Sequence, residues 1–250
     1  MPYSHPQPID KSQALTQIRH LLPGALALTF IAGFINSVAL GFFHAPVSHM
    51  TGAVSHLGLD LSRRQWADAA AALAIILGFG TGALLTGLVL GSLHLLPGRR
   101  YGVVLICEGL FLGCATGLLI VHHRFGLPLV AMACGLQNAM TSSYCGLMIR
   151  TTHVTGTVTD IGVMLGHWLR HRQIDWQKLS FLTSVFLAFG AGGAFGAIAD
   201  SFLGAASLGI AATACLISGT LFFVLTHRGL VVIAQQGSGT PSNSESLPKR

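Results

Sequence analysis

The sequence predicts an all-α polytopic membrane bundle of six spans, built as two inverted three-span repeats with a half-membrane helix after spans 1 and 4. Three observations carry this prediction. Hydrophobic residues make up 52% of the 250 residues and charged residues only 9%, against about 25% charged residues in soluble domains. Long apolar runs recur along the chain, and its two halves resemble each other. This composition excludes a soluble enzyme, a disordered protein and a nucleic-acid-binding protein.

The predicted spans are apolar runs long enough to cross about 30 Å of hydrocarbon. They divide the chain into a first membrane repeat at 21–121 and a second at 122–233. Residues 1–20 are predicted to form a polar, mobile tail, and the Ser-, Gly-, Asn- and Pro-rich residues 234–250 a disordered tail. The six runs lie at 21–43, 67–93, 102–121, 127–148, 179–199 and 202–226.

Two connections, at 45–61 and 151–168, are too polar for ordinary spans and too apolar for plain loops. We interpret them as re-entrant, half-membrane helices. If both crossed fully, the chain would have eight spans. In either case eleven of the 14 lysines and arginines fall on the side of the termini, so the positive-inside rule predicts cytoplasmic termini without deciding the number of spans.

The internal repeat is visible as matching motifs in the same order. Gly33 and Asn36 match Gly135 and Asn138, and the His-x-Thr-Gly motif at residue 49 recurs at residue 153. Three spans in each half would invert the second half relative to the first, a recurring plan of secondary transporters. A four-plus-four arrangement would instead give parallel repeats. A duplication without a transport role is the alternative explanation.

Amides inside apolar helices must find a partner or face a polar cavity. We therefore predict that Asn36, Gln137 and Asn138 contact a substrate, and that the two asparagines face each other across the pseudo-two-fold axis. The alternative role is to hold neighbouring helices together by hydrogen bonds. The pairs Thr51-Gly52 and Thr155-Gly156 are predicted to begin the short helices, with each threonine as N-cap and the helix start available to substrate.

Titratable side chains near the same motifs suggest proton transfer. His49, His56, His153 and Asp160 correspond pairwise in the repeat, and they predict a proton relay. A zinc or manganese site and ordinary hydrogen-bonded histidines at the membrane boundary are the alternatives. Glu108 lies well inside a predicted span, where acids are costly, so it is predicted to couple protons. A neutral Glu108 bonded to a backbone carbonyl is its alternative.

These residues favour a secondary transporter or permease for a small solute. The chain has no Walker loop, dinucleotide fingerprint, nucleophile elbow or nucleophile–base pair, so neither an enzyme nor a cofactor is expected. The alternative is an accessory or scaffold protein that binds a partner within the bilayer. The expected partners are the lipid bilayer and an unidentified solute, with no nucleic acid. A homo-oligomer is compatible with the sequence.

Three stretches of the sequence resemble the YoaK-like family, multi-span bacterial inner-membrane proteins of unknown function. They are residues 32–38, residues 48–52 with 57–58, which include the His-Met-Thr-Gly motif, and residues 135–139 with 151–160, which include Gly-Leu-Gln-Asn-Ala and Thr-Gly-Thr-Val-Thr-Asp. The resemblance implies an integral, non-enzymatic, transporter-like protein of the inner membrane. Where the family usually has Asp and Asn, this chain has Asn36 and Ala53, so it has no carboxyl group at the first of these positions.

Overall fold

The computed structural model describes residues 11–43, 46–90, 99–142 and 152–228. Within these ranges the chain is entirely helical, as the sequence predicts, with no strand. A 3₁₀ turn, Gly204–Ser207, joins the last two helices. The eight α-helices are α1 Lys11–Phe43, α2 Met50–Ser62, α3 Trp66–Leu90, α4 Arg99–Ile120, α5 Gly126–Ser142, α6 Val154–His171, α7 Trp176–Leu203 and α8 Leu208–His227.

Four stretches of the described chain are long and apolar enough to cross a membrane, which indicates a membrane protein. They are Leu22–Gly41, Trp66–Leu90, Arg99–Ile120 and Trp176–His227. The last contains two helices, α7 and α8. Helix α5 is described over 17 residues, and the remainder of the predicted span at 127–148 lies outside the described residues.

The short helices α2 and α6 occupy the two connections that were predicted to be re-entrant. They have 13 and 18 residues. Helix α1 begins at Lys11, inside the predicted polar tail, because the residues after Pro8 are mostly good helix formers. Residues 1–10 and the predicted disordered tail at 234–250 lie outside the described residues.

Long helices pair through glycines at which the backbones meet. A Cβ atom at Gly33 of α1 would overlap the Phe189 carbonyl oxygen of α7, and one at Gly135 of α5 would overlap the Phe79 carbonyl oxygen of α3. Further along α1 and α7, Gly196 packs on Phe34. The contact points move towards the C-terminus of both helices together, so α1 runs parallel to α7. The same holds for α3 and α5, where Thr86 Oγ1 donates a hydrogen bond to the Leu136 carbonyl oxygen at 3.0 Å.

In the third long pair, α4 and α8 run in opposite directions. A Cβ atom at Gly102 would lie 2.9 Å from the Gly219 carbonyl oxygen, and one at Gly109 would lie 2.9 Å from the Ala212 carbonyl oxygen. Because the contact moves back along α8 as it moves forward along α4, these helices are antiparallel. Small residues allow such close approach in membrane proteins.

The short helices lie apart from each other. Helix α2 packs on α3 and α6 packs on α7, and α2 makes no contact with α6. The two connections that are predicted to be re-entrant therefore do not meet. The largest buried cluster instead forms where α1, α4, α5 and α8 converge, around Ile35, Leu112, Val130 and Leu208.

Candidate functional site

In the first half, the amide of Asn36 holds the segment that leads from α1 into α2. Ser48 Oγ donates a hydrogen bond to Asn36 Oδ1 at 2.6 Å, and His49 Nδ1 lies 3.1 Å from the same oxygen. Ser48 is buried, whereas Asn36 and His49 are half-buried. A polar group in apolar surroundings is costly without a partner, so these contacts fix the turn before α2.

The second half repeats this arrangement. Thr152 Oγ1 donates a hydrogen bond to Asn138 Oδ1 at 3.0 Å, and Thr152 is buried like Ser48. Each asparagine is thus bonded within its own half. The expectation that Asn36 and Asn138 bond or face each other finds no support in these contacts, because each amide oxygen is satisfied by a hydroxyl of the turn that follows its own helix.

The histidine after each hydroxyl differs between the halves. His49 is half-buried and its ring meets the Phe189 ring of α7 edge-on, with centroids 5.7 Å apart. Burial lowers the pKa of His49, so its imidazole is neutral at pH 7. His153 is exposed and lies against Gly156, where a Cβ atom would overlap the imidazole ring.

Both short helices begin two residues earlier than the predicted threonine N-caps imply. His49 and His153 are the N-caps, and neither side chain makes a capping hydrogen bond. The prediction of Thr51 and Thr155 as N-caps is wrong, because the helices begin at Met50 and Val154 and both threonines lie inside the first turn, exposed.

Gln137 is the predicted amide that reaches the other half. Its Nε2 donates a hydrogen bond to the Leu28 carbonyl oxygen of α1 at 3.0 Å, and its side chain is buried. Its Oε1 is also buried and has no hydrogen-bond partner among the described residues. One bond tying α5 to α1 and one free acceptor fit either the role of holding neighbouring helices together or a substrate contact.

Glu108 is fully buried in the middle of α4. It lies beside Cys134 of α5 and Cys215 of α8, and the Cys215 thiol approaches its carboxyl group. Neither carboxyl oxygen completes a well-oriented hydrogen bond in the described part of the chain. An ionised, unpaired carboxylate buried in this way would cost roughly several kcal/mol. The environment of Glu108 therefore suits the protonated acid.

The structure does not gather the predicted titratable set. His56 is exposed on α2 and Asp160 is exposed on α6, and these helices do not touch. His49 is held at Asn36, away from the exposed His153. No group of three metal-ligating side chains converges within the described ranges, so nothing there supports the zinc or manganese alternative.

A cavity of about 640 Å³ lies between α2, the first half of α3 and the α4–α5 connection. Its buried lining consists of Ala53, Ala72, Ile75 and Leu119. Neither Asn36 nor Asn138 lines it. The titratable side chains at its walls are His56, Asp60, Asp68, His122, His123 and Arg124.

Sequence reasoning missed two kinds of residue here. Ser48 and Thr152 correspond in the repeat, since each directly precedes the histidine of its motif, and that match could have identified them. The grouping of Asp60 and Asp68 with Arg124 joins distant parts of the chain through tertiary packing, and no spacing rule would have found it.

We expect Ser48→Ala to destabilise the protein by about 1 kcal/mol, because Asn36 Oδ1 loses its shortest hydrogen bond. This corresponds to a fall of about 2–4 °C in melting temperature for a chain of this size, measurable by thermal unfolding in detergent. Ser55→Ala is the matched control, since the exposed Ser55 hydroxyl bonds only to the Thr51 carbonyl oxygen of its own helix. Equal melting temperatures for the two variants would show that the turn does not depend on this bond.

A family model described as a protein of unknown function (DUF1275) matches residues 24–221. The match covers α2 to α7 entirely and most of α1's apolar part and of α8. No curated protein and no solved structure matches the chain.

Proposed function

The chain belongs to the DUF1275 family of proteins of unknown function, and we propose that it is a secondary transporter or permease for a small solute. The observation that carries this proposal is an unequal packing of two interfaces that the internal repeat makes equivalent. Helix α4 packs closely along α5, whereas α8, its repeat counterpart, makes few contacts with α1, the counterpart of α5.

The proposal begins from six spans in two inverted repeats. Contacts recur between repeat-equivalent residues: Gly192 approaches the Phe30 carbonyl oxygen as Gly82 approaches that of Met132. Six alternating spans make α1 parallel to α7 and α4 antiparallel to α8, which agrees with the glycine contacts. Eight alternating spans would make α4 and α8 parallel, and this does not agree with them.

The gap between α1 and α8 holds an apolar cavity of about 350 Å³. Phe30, Phe34, Ala211 and Ala214 are among the residues that line it. In an inverted repeat, closing this gap while opening the α4–α5 interface would produce the conformation related to the first by the pseudo-two-fold axis. Exchange between two such conformations is the usual basis of alternating access.

The exchange between the two conformations would change the access of protons to Glu108. It is buried under α5, whereas its repeat counterpart Ser218 is exposed on α8, where α1 does not close over it. Opening the α4–α5 interface would expose Glu108 to protonation and deprotonation. In this proposal the acid is occluded in one conformation and accessible in the other, which is what proton coupling requires.

Some of the remaining predicted residues keep their proposed roles. Asn36, Gln137 and Asn138 contact the solute when the helices part, with the first turns of α2 and α6 beside them. His49, which lies 3.1 Å from Asn36 Oδ1, assists proton movement. The free Oε1 of Gln137 and the paired hydroxyl–amide turns support these roles.

Uptake profiling tests transport directly. We expect deletion of the gene to change the accumulation of at least one small solute, wild-type chain to restore it, and Asn138→Ala to fail. Thr81→Ala is the control, because its exposed hydroxyl bonds only within α3. Identical profiles for all strains would reject transport and leave the scaffold role.

Site-directed labelling tests the topology. We propose cytoplasmic termini in a bacterial inner membrane, so a cysteine at Arg63 is expected to react with a membrane-impermeant maleimide in intact cells. A cysteine at Arg172 is expected to react only after permeabilisation, because an inverted repeat places the two positions on opposite sides. Labelling of the wild-type cysteines sets the background. Reaction of both positions from the same side would refute the inverted arrangement.

A further inference from the structure

The cavity between α2, α3 and the α4–α5 connection has the size and lining of a small-molecule site. Its volume of about 640 Å³ falls within the roughly 300–1,000 Å³ typical of ligand pockets. Alanines dominate its walls, and Ala53 and Ala72 among them are buried. Short methyl side chains leave room for a compact apolar body.

The acidic and the basic side chains around this apolar lining come from different elements of the structure. Helices α2 and α3 supply two acids, Asp60 and Asp68, whereas the α4–α5 connection supplies the cation Arg124. No ion pair links Asp60 or Asp68 to Arg124 within the described ranges. The acids and the guanidinium therefore remain available to a solute, since they do not neutralise each other.

We propose that this cavity binds a small zwitterion, with its ammonium group at Asp60 and Asp68 and its carboxylate at Arg124. A solute with one charge would match only one of the two groups of side chains. The apolar lining suits the short carbon body between the charges. As the substrate of a transporter, the zwitterion rests on the proposed function; as a ligand of the cavity, it rests on the cavity alone.

Three histidines extend the argument to the surroundings of the site. His56 lies on α2, one helical turn before Asp60, and His122 and His123 precede Arg124. Their imidazole rings add hydrogen-bonding groups to the walls of the cavity.

The test uses thermal unfolding of the purified, full-length protein in detergent at pH 7.5. L-alanine and 4-aminobutyrate are two zwitterions with different charge separations, and butylamine and butyrate carry one charge each. We expect at least one zwitterion to raise the melting temperature in a saturable way, with neither single-charge probe doing so at the same concentration. Equal stabilisation by butylamine or by butyrate, or no stabilisation by either zwitterion, would overturn the proposal.

Variants that remove one charge sign test which side chains bind the carboxylate and which bind the ammonium group. Arg124→Gln is expected to weaken zwitterion binding about tenfold or more and to make butylamine the preferred probe. Asp60→Asn combined with Asp68→Asn is expected to make butyrate preferred. Arg63→Gln is the control, because Arg63 is exposed in the connection between α2 and α3 and does not line the cavity. Unchanged preferences in both variants would refute the assignment.

The two proposals can fail separately. Zwitterion-dependent stabilisation without any uptake would retain this site and reject transport. If a solute is taken up, and the cavity variants take it up as the wild-type chain does, transport would be retained and this site rejected.

Discussion

Gly82→Ala is expected to lower the melting temperature of the protein by about 6–12 °C, equivalent to about 3 kcal/mol of overpacking at this chain length. A Cβ atom at residue 82 would overlap the Met132 carbonyl oxygen and approach the Leu136 nitrogen at 2.9 Å. Both atoms belong to the α5 backbone, which cannot move aside as a flexible side chain could. Helices α3 and α5 would have to separate along their whole contact.

The control for this variant lies in the same helix. Gly80 has no atom within 4 Å of its would-be Cβ, so Gly80→Ala is expected to leave the melting temperature unchanged or to raise it slightly, since alanine favours the helix. Gly192→Ala is expected to match Gly82→Ala, because Gly192 meets the Phe30 carbonyl oxygen in α1. Comparable melting temperatures for the Gly80 and Gly82 variants would contradict the tight packing of α3 on α5.

Glu108→Gln is expected to reduce proton-driven uptake at least about tenfold while leaving the melting temperature unchanged. Glutamine has nearly the shape of the protonated acid, so the buried site can accept it, but it cannot release a proton. The measurement is uptake of the solute found by profiling, into cells or proteoliposomes, with and without an inward proton gradient. The gradient should no longer accelerate uptake.

Ser218→Ala provides the matched control for Glu108→Gln. Ser218 is the repeat counterpart of Glu108 but is exposed on α8, so its replacement should leave the effect of the gradient intact. Gradient-stimulated uptake by Glu108→Gln at the wild-type rate would remove Glu108 from the coupling mechanism. A large fall in the melting temperature of Glu108→Gln would instead show that the carboxyl group has a structural role.

Local sequence signals predicted the helices well where apolar runs end at polar residues. The predicted spans at 67–93 and 102–121 agree closely with Trp66–Leu90 and Arg99–Ile120. The polar connections were correctly separated from the spans, because their histidines, threonines and acids interrupt the apolar runs. The observed N-caps lie two residues before the predicted threonines, because the capping preference of threonine takes no account of the bonds that hold the preceding turn.

The candidate site could be predicted only in part. Hydrophobicity alone marks Asn36, Glu108 and Gln137 as unusual, and all three are buried or half-buried. Their partners could not be read locally, since the Leu28 carbonyl oxygen lies 109 residues from Gln137. Likewise, the 640 Å³ cavity joins α2, α3 and the α4–α5 connection, and only tertiary packing brings these three elements together.

The exchange of helices between the halves has a consequence for biosynthesis. Helix α1 packs along α7, and α3 along α5, so the glycine faces of the early helices have no partner until the later helices have been synthesised. The first half therefore cannot complete its own packing as it leaves the ribosome. Its insertion into the bilayer must precede its folding, and the finished structure can assemble only after translation has reached α8, the partner of α4.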